Sequence, residues 1–237
     1  MCMLSEYGSF VASCWPSLLL TAACAYLLGS LNFAIIITRL FAKTDIRDSG
    51  SGNAGATNVL RSQGPLPAVL TTAGDLAKSV AAVLLGRWLM GAMNGDFTAG
   101  SDADVALIGA YLAGLFCILG HLFPLFFGFR GGKGVLTTLG MMLVLDWRAA
   151  LICLGLFIVV VLASRMVSLG SVCAAAALPV FTYLFSALVD RNRLSDTVFV
   201  TTMTVFIAFI LIVKHRSNLR RIANGTESKL SFGKKSA

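Results

Sequence analysis

Long apolar runs constrain this chain more than any other feature of its sequence. A helix rises about 1.5 Å per residue, so roughly 20 apolar residues cross the hydrocarbon core of a bilayer. Because lipid offers no hydrogen-bond partners, such segments must satisfy their backbone groups internally, as helices. The sequence therefore predicts an all-α, polytopic integral membrane helical bundle with about seven transmembrane helices. These helices would cover about residues 16–41, 66–93, 105–127, 135–145, 149–163, 167–189 and 197–213.

Composition favours the membrane class and excludes others. Of the 237 residues, 57% are hydrophobic and only 13% are charged, whereas a typical soluble domain is about a quarter charged. A soluble fold of this size would leave much of that apolar surface in water. A disordered chain, a coiled coil and an ordinary soluble enzyme are therefore excluded. We expect one membrane-embedded domain over residues 1–237, which closes in a basic tail at about 228–237.

The fourth apolar run leaves the number of spans open. Residues 135–145 are too few to cross a hydrocarbon core of roughly 30 Å. This run is either a half-helix or a helix that extends through the preceding loop. If it formed a re-entrant pair with the fifth run, the chain would have five spans.

The distribution of charge predicts the orientation in the membrane. The chain has 19 Lys and Arg residues against 11 Asp and Glu residues, a formal net charge of +8. With the N-terminus outside and the C-terminus inside, 15 of the basic residues lie on the cytoplasmic side, in agreement with the positive-inside rule. Topology and membrane lipids thus explain much of the excess charge, and we expect no nucleic-acid partner.

Three polar segments interrupt the apolar pattern, and this topology places all three at the cytoplasmic surface. The first, residues 50–61, reads GSGNAGATNVLR. Its glycines can adopt positive φ, and successive backbone amides can form an anion-binding nest, to which Arg61 adds a planar fork. The alternative is a flexible loop with helix caps; a Walker A motif is excluded because no Gly-Lys-Ser/Thr follows. The candidate ligand residues are Gly50, Ser51, Gly52, Asn53, Gly55, Thr57, Asn58 and Arg61.

The second segment, residues 120–134, ends in another glycine-rich turn. Backbone amides of such a turn can surround a phosphate while a lysine supplies a point charge. The four phenylalanines around Pro124 suit either an acyl chain or the bilayer interface. A tight connection between helices is the alternative for the turn, and His121 is expected to be a structural hydrogen bonder. The candidate ligand residues are Gly131, Gly132, Lys133 and Gly134.

The third segment, residues 214–227, begins where the last span leaves the membrane. His215 and Asn218 are three residues apart and share one helix face, whereas Arg216 and Arg220 share another. A basic flank that binds anionic lipid heads would explain the arginines. It explains the histidine and the asparagine less well, so these two are candidate site residues.

Asp75 and Lys78 lie three residues apart within the second span. A lone charge is costly inside a membrane, so the two side chains are expected to neutralise each other. We interpret them as a structural pair near a helix end rather than as catalytic groups.

Hydroxyls, amides, glycines and basic side chains at a membrane surface suit a phosphorylated, partly lipidic substrate. Neither histidine is followed by an aspartate after four intervening residues, so the His-x4-Asp acyltransferase dyad is absent. The six cysteines form no CxxC pair, and no carboxylate-rich cluster indicates an obligatory metal. We therefore predict no metal site and no cofactor. Electrostatic positioning is the mechanism that these residues support best.

At these three segments, with Asp75-x-x-Lys78 between the first two, the sequence resembles the PlsY family of bacterial acyl-phosphate:glycerol-3-phosphate acyltransferases. The resemblance covers nearly the whole chain. It implies transfer of an acyl group from acyl-phosphate to the 1-hydroxyl of glycerol 3-phosphate, which gives lysophosphatidic acid and phosphate in phospholipid synthesis. It also implies a multi-pass protein of the bacterial cytoplasmic (inner) membrane with its site on the cytoplasmic side, and we expect a monomer.

The resemblance also implies roles for individual residues. Lys133 and its glycines match the site for the phosphate of glycerol phosphate, and Glu227 matches an acidic residue thought to support the structure. Many members have proline at the position of Ala54, and the loss of that rigid residue is expected to loosen the loop. The residues that match positions implicated in activity, and that we predict to be catalytic, are Ser51, Arg61, His215 and Asn218.

Alternatives stay open for both mechanism and class. The expected route lets the substrate's own phosphate accept the hydroxyl proton, whereas a rival route forms a covalent acyl-enzyme on Ser51. A transporter of a phosphorylated anion would also use glycine loops and broken helices, although its polar groups would lie near the bilayer midplane. A lipid-binding scaffold without catalysis is the third class.

Overall fold

The computed structural model describes residues 2–94 and 104–230. All regular elements within those ranges are helical, which confirms the all-α class for this part of the chain. The end of the basic tail predicted at about 228–237 lies outside the described residues. The α-helices are α1 Cys2–Ser30, α2 Phe33–Ala42, α3 Ala56–Gln63, α4 Pro65–Asn94, α5 Val105–Leu122, α6 Val135–Leu145, α7 Trp147–Ser164, α8 Val167–Leu184, α9 Leu194–Lys214 and α10 Arg216–Ala223.

Six helical segments of the described chain are long and apolar enough to cross a membrane, so the prediction of about seven is not confirmed. The difference lies at α6, whose 11 residues are too few. Helix α6 does not continue into α7, because Asp146 caps α7 by accepting hydrogen bonds from the backbone N–H groups of Arg148 and Ala149 at 3.2 and 3.3 Å. The orientation of the termini stays a prediction. The six segments are Ser13–Ala42, Pro65–Asn94, Val105–Phe127, Trp147–Ser164, Val167–Val189 and Leu194–Lys214.

The first of these segments contains a break between α1 and α2. Asn32 is fully buried and caps α2, since its side-chain oxygen accepts a hydrogen bond from the Ile35 N–H at 3.2 Å. A helix that ends here leaves carbonyl groups of its last turn without partners from its own backbone. In a membrane those acceptors need a donor from elsewhere in the protein.

The chain divides into two compact units, Met1–Leu145 and Asp146–Ala237. The first unit contains α1 to α6, and the second contains α7 to α10. The expectation of one domain over residues 1–237 stays a prediction.

In the first unit, glycines let α1 and α5 approach each other closely. A Cβ atom on Gly29 would overlap the carbonyl oxygen of Cys117, and one on Gly120 would overlap the carbonyl oxygen of Tyr26. Small residues at such crossings are typical of membrane bundles, where van der Waals packing of close backbones replaces the hydrophobic effect. The crossing brings the end of α1 beside the end of α5, where His121 lies.

In the second unit, α8 packs against both α7 and α9, and α10 packs against α8 and α9. Beyond the π-helical turn Phe185–Val189, Asp190 accepts two hydrogen bonds from the Arg148 guanidinium at 2.8 and 2.6 Å. The same guanidinium lies 4.8 Å from the centre of the Phe185 ring. These contacts tie the start of α7 to the end of α8. The hydrogen bonds from Arg148 also lower the pKa of Asp190.

Candidate active site

One buried side chain shapes the first loop, which comprises residues 49–55. Asn58 is 2% exposed. Its Oδ1 accepts a hydrogen bond from the Ser51 N–H at 2.9 Å, and its Nδ2 donates to the carbonyl oxygens of Ile46 and Ser49 at 3.1 and 2.9 Å. Gly50 has a φ of +57°, and a Cβ there would overlap Asn58 Oδ1. The first loop is therefore held in one shape by Asn58, whose predicted contact with substrate stays a prediction.

Helix α3 begins where the first loop ends, and it carries Arg61. Its N-cap residue, Gly55, has an extended backbone and makes no side-chain cap. Ser51 and Arg61 are exposed, whereas Asn53 and Thr57 are half-buried. A helix N-terminus without a capping side chain, followed by an arginine, favours an anionic ligand.

The second loop, residues 123–134, folds back on the end of α5. The Gly131 N–H donates to the carbonyl oxygen of Leu122 and the Gly132 N–H to that of His121, both at 3.2 Å. A Cβ on Gly131 would overlap the same His121 oxygen. These two amides are engaged within the chain, so they do not form the predicted nest around a phosphate. Substrate contacts of the four residues 131–134, including the half-buried Lys133, stay predictions.

The first loop and the second loop meet at Gly132. A Cβ on Gly132 would overlap both the carbonyl oxygen of Ala54 and the Nε2 atom of His121. Only glycine lets the second loop pass between these two groups. Ala54 is fully buried in a cluster with Ile35 and Val59, so packing holds the first loop at the position where we expected it to be loose.

A buried charged cluster adjoins this contact. Lys78 Nζ lies 2.8 Å from Asp75 Oδ1, so the two side chains do pair, and 3.0 Å from His121 Nδ1. The pair lies well inside α4, so its predicted place near a helix end is wrong. It also donates to the carbonyl oxygens of Gly29 and Leu31 at 3.1 and 2.8 Å, which are acceptors at the break between α1 and α2. Because an ammonium can only donate, His121 Nδ1 accepts and the ring proton is assigned to Nε2. The cluster thus joins α1, α4 and α5.

The second unit contains His215 and Asn218, the predicted site residues of the third segment. His215 is 2% exposed, and its Nδ1 lies 2.8 Å from the carbonyl oxygen of Leu211. A carbonyl can only accept, so Nδ1 carries a proton and donates a hydrogen bond to Leu211. Asn218 is buried on the next turn and donates to Glu227 Oε1 at 2.7 Å.

Glu227 collects two further donors, Ser168 Oγ at 2.6 Å and Arg221 Nε at 2.7 Å. Burial opposes ionisation of this carboxyl, but the hydrogen bonds outweigh burial and lower its pKa. The contacts tie the segment after α10 back to α8 and α10. They support the predicted structural role of Glu227.

Sequence reasoning misses two side chains of these networks, Arg47 and Ser168. Arg47 stands two residues after Asp45 and binds its carboxylate. The Asp-x-Arg pattern just before a glycine loop is the sequence signal that could have identified Arg47. Ser168 is a hydroxyl near the start of the apolar helix α8. Such serines usually bond their own helix backbone, so sequence alone does not separate Ser168 from an ordinary helix residue.

The chemical resources of both units are cations and hydrogen-bonding groups. Within residues 2–94 and 104–230, no three His, Cys, Asp or Glu side chains come together as a metal site requires. The first unit brings together the first loop, the second loop and the charged cluster, and the second unit holds His215, Asn218 and Glu227 in one network. Such groups suit recognition of a phosphorylated substrate and stabilisation of developing negative charge.

Known proteins are similar to this chain over most of its length. Residues 19–225 match the family model described as glycerol-3-phosphate acyltransferase. A glycerol-3-phosphate acyltransferase of Geobacter sulfurreducens is 42% identical over 211 residues, which are 89% of this chain and 96% of the relative. One of Thiobacillus denitrificans is 40% identical over 218 residues, which are 92% and 98% of the two chains.

Two solved structures are similar in fold as well as in sequence. The crystal structure of PlsY, an integral membrane glycerol 3-phosphate acyltransferase, in its glycerol 3-phosphate form has a TM-score of 0.74 and 33% identity. The lysophosphatidic acid form has a TM-score of 0.72. Each similarity covers 91% of this chain and 96% of the solved chain.

Proposed function

Because this chain belongs to the glycerol-3-phosphate acyltransferase family and is a multi-pass membrane protein, we propose that its acyl donor is an acyl-phosphate. The acyl group passes to the 1-hydroxyl of sn-glycerol 3-phosphate, and the products are lysophosphatidic acid and inorganic phosphate for phospholipid synthesis. No cofactor is needed, since phosphate is already a good leaving group. The protein works as a monomer in a bacterial cytoplasmic membrane, with its site on the cytoplasmic side.

The observation that carries this proposal is the contact between the first loop and the second loop at Gly132. The contact joins the segments that lead to Arg61 and Lys133 within one compact unit. The two substrates bring two phosphate groups, and cations on fixed loops neutralise them without reorganisation as charge develops. We therefore assign phosphate binding to Arg61 and Lys133.

Orientation of the reacting groups is assigned to Ser51, His215 and Asn218. Both third-segment residues are held in place within the chain, His215 through its Nδ1 contact with the Leu211 carbonyl oxygen and Asn218 through its bond to Glu227. The hydroxyl oxygen attacks the acyl carbonyl carbon, and the bond from that carbon to the phosphate oxygen breaks. The hydroxyl proton passes to the departing phosphate, so the step is balanced without a protein base.

An assay with purified full-length chain tests the donor and the acceptor together. Synthetic acyl-phosphate and radiolabelled glycerol 3-phosphate, without acyl-CoA, should give labelled lysophosphatidic acid. A chain that makes no such product but takes up label into liposomes would instead be a transporter. An acyl adduct on Ser51 that forms and decays during turnover would replace the direct route by the covalent one.

Two substitutions test the assigned cations. Arg61→Ala and Lys133→Ala should each lower kcat/KM by about 100-fold or more, while the thermal unfolding midpoint stays close to that of the wild type. Arg87→Ala removes an exposed arginine of α4 and serves as the matched control. Full activity in both test variants would refute the assigned phosphate contacts.

The orientation is tested by single cysteines that replace Lys229 and Arg191. In intact cells, a membrane-impermeant thiol reagent should label the second position and spare the first. The opposite pattern would place the C-terminus outside.

A further inference from the structure

Arg47 binds the second loop, although it lies before the first loop in the chain. It is part of the 3₁₀ turn Ile46–Asp48, and its side chain is 22% exposed. Nη1 donates to the carbonyl oxygens of Phe127 and Arg130 at 2.6 and 3.2 Å. One guanidinium thus holds two successive points of the segment that leads to Lys133.

Asp45 fixes the direction of this guanidinium. Nε and Nη2 of Arg47 donate to the two carboxylate oxygens at 2.9 and 2.8 Å, which is bidentate geometry. The carboxylate also accepts hydrogen bonds from the backbone N–H of Arg47 at 3.0 Å and from Arg39 Nη2 at 2.9 Å. The hydrogen bond from Arg47 lowers the pKa of Asp45, so this carboxylate stays ionised at neutral pH.

Other attachments of the second loop lie on either side of the part that Arg47 binds. Before it, Tyr26 Oη donates to the Phe123 carbonyl oxygen at 2.6 Å, and the Leu125 N–H donates to Ser30 Oγ at 3.2 Å. Gly131 and Gly132 bond back to the end of α5, and Gly132 touches the first loop at the Ala54 carbonyl. The middle of the second loop is held by Arg47, whose own turn leads directly into the first loop. Arg47 is therefore built into the base of one loop and bonded to the other.

We propose that Arg47 is a positioning residue for the phosphate site, because it sets the separation of the first loop and the second loop and thereby the place of Lys133. The inference rests on the proposed function of these loops. This role depends on the shape of the guanidinium as well as on its charge. A lysine carries its donors on one nitrogen atom and cannot span both Asp45 oxygens and the two carbonyl groups at once.

The test compares Arg47→Lys with the matched control Arg39→Lys in the full chain. Arg39 binds the same carboxylate and lies 5.4 Å from the Phe127 ring centre, but its side chain is 52% exposed. Arg47→Lys should raise the KM for glycerol 3-phosphate by about tenfold or more, since small misplacements of a binding group are costly. The KM for acyl-phosphate should change much less, and Arg39→Lys should keep both constants near the wild-type values.

Each outcome has a defined meaning. If the wild type makes no lysophosphatidic acid from these substrates, the proposed function fails. If the wild type is active and Arg47→Lys matches Arg39→Lys, the inference about Arg47 fails alone. A lowered unfolding midpoint with unchanged KM values in the folded fraction would show a purely structural role and would also refute it.

A second variant covers the case in which Arg47→Lys does not fold. Asp45→Asn keeps the size of the side chain but removes the charge that orients Arg47, and it should raise the same KM in the same direction. If Asp45→Asn is folded and has the wild-type KM, the proposal is refuted. If neither variant folds, the clamp serves folding rather than the site, and the proposal is refuted as well.

Discussion

Removal of the positive charge at Lys78 probes the buried cluster most directly. Lys78→Met nearly preserves side-chain length but removes the ammonium that contacts Asp75, His121 and the carbonyl groups of Gly29 and Leu31. Asp75, which is 1% exposed, then loses its nearest cation. Breaking a buried ion pair by deleting one partner costs about 3–5 kcal/mol. We expect the free energy of unfolding to fall by at least about 3 kcal/mol, because the two carbonyl groups also lose a donor.

Removal of both charges should cost less than removal of one. In the double variant Asp75→Leu with Lys78→Met, no buried carboxylate remains unpaired, and apolar replacement of a buried pair is often close to neutral. The carbonyl groups of Gly29 and Leu31 still lack their donor, which costs about 1–3 kcal/mol. The double-mutant cycle should therefore give a favourable coupling of about 2 kcal/mol or more between Asp75 and Lys78.

The differences in free energy of unfolding are measured by reversible unfolding in bicelles of fixed lipid composition. Steric trapping monitors the unfolding. Lys229→Met removes an exposed lysine and should change the free energy of unfolding by less than about 0.5 kcal/mol. Two results would refute the reasoning. One is a Lys78→Met variant within about 1 kcal/mol of the wild type; the other is a double variant less stable than Lys78→Met.

Three further predictions concern other contacts of the site. Gly132→Ala should lower acyltransferase activity by about 100-fold or more, because the added Cβ overlaps Ala54 and His121. The control variant Gly155→Ala has open space around its Cβ, and its activity should be within about twofold of the wild type. Asn58→Ala should remove most activity and increase proteolysis within the first loop, because the carbonyl groups of Ile46 and Ser49 lose their donor; proteolysis at the wild-type rate would contradict this. The lowered pKa of Glu227 means that its carboxylate stabilises the fold above the ordinary value of 4.5, and this stability is lost as pH falls through the lower folded pKa. The difference in unfolding midpoint between the wild type and Glu227→Gln should therefore shrink below about pH 4.5, and a difference independent of pH would contradict the assignment.

The fold class followed from the sequence because the length and polarity of the apolar runs are properties of single segments. The break between α1 and α2 did not, because Ser30 and Asn32 look like ordinary polar residues inside a long apolar run. It depends on the Asn32 cap and on a donor 49 residues away from Gly29 in the chain. The separation of α6 from α7 likewise depends on the cap made by Asp146.

The candidate site was predicted in composition but not in arrangement. Glycine clusters and nearby cations indicated phosphate binding without showing which glycines are needed for packing. Gly131 and Gly132 are needed where the second loop passes His121, a tertiary contact that no local pattern encodes. Asn58 was identified as a polar group of the loop, but its three partners lie 7 to 12 residues away, so its buried position could not be derived from spacing.

The attachment of the second loop has a consequence for how this region tolerates substitution. Arg47 donates to main-chain oxygens at Phe127 and Arg130, and the return of the second loop to α5 also uses main-chain groups. Main-chain partners persist whatever side chain is attached to them. Saturation mutagenesis should therefore find the exposed positions 125, 126 and 130 permissive and Arg47 intolerant, whereas Gly128, with a φ of +66°, and the packed Phe127 should be restricted. The exposed aromatic side chains of this stretch are free to adapt to a different membrane or acyl chain over evolutionary time while the loop keeps its shape.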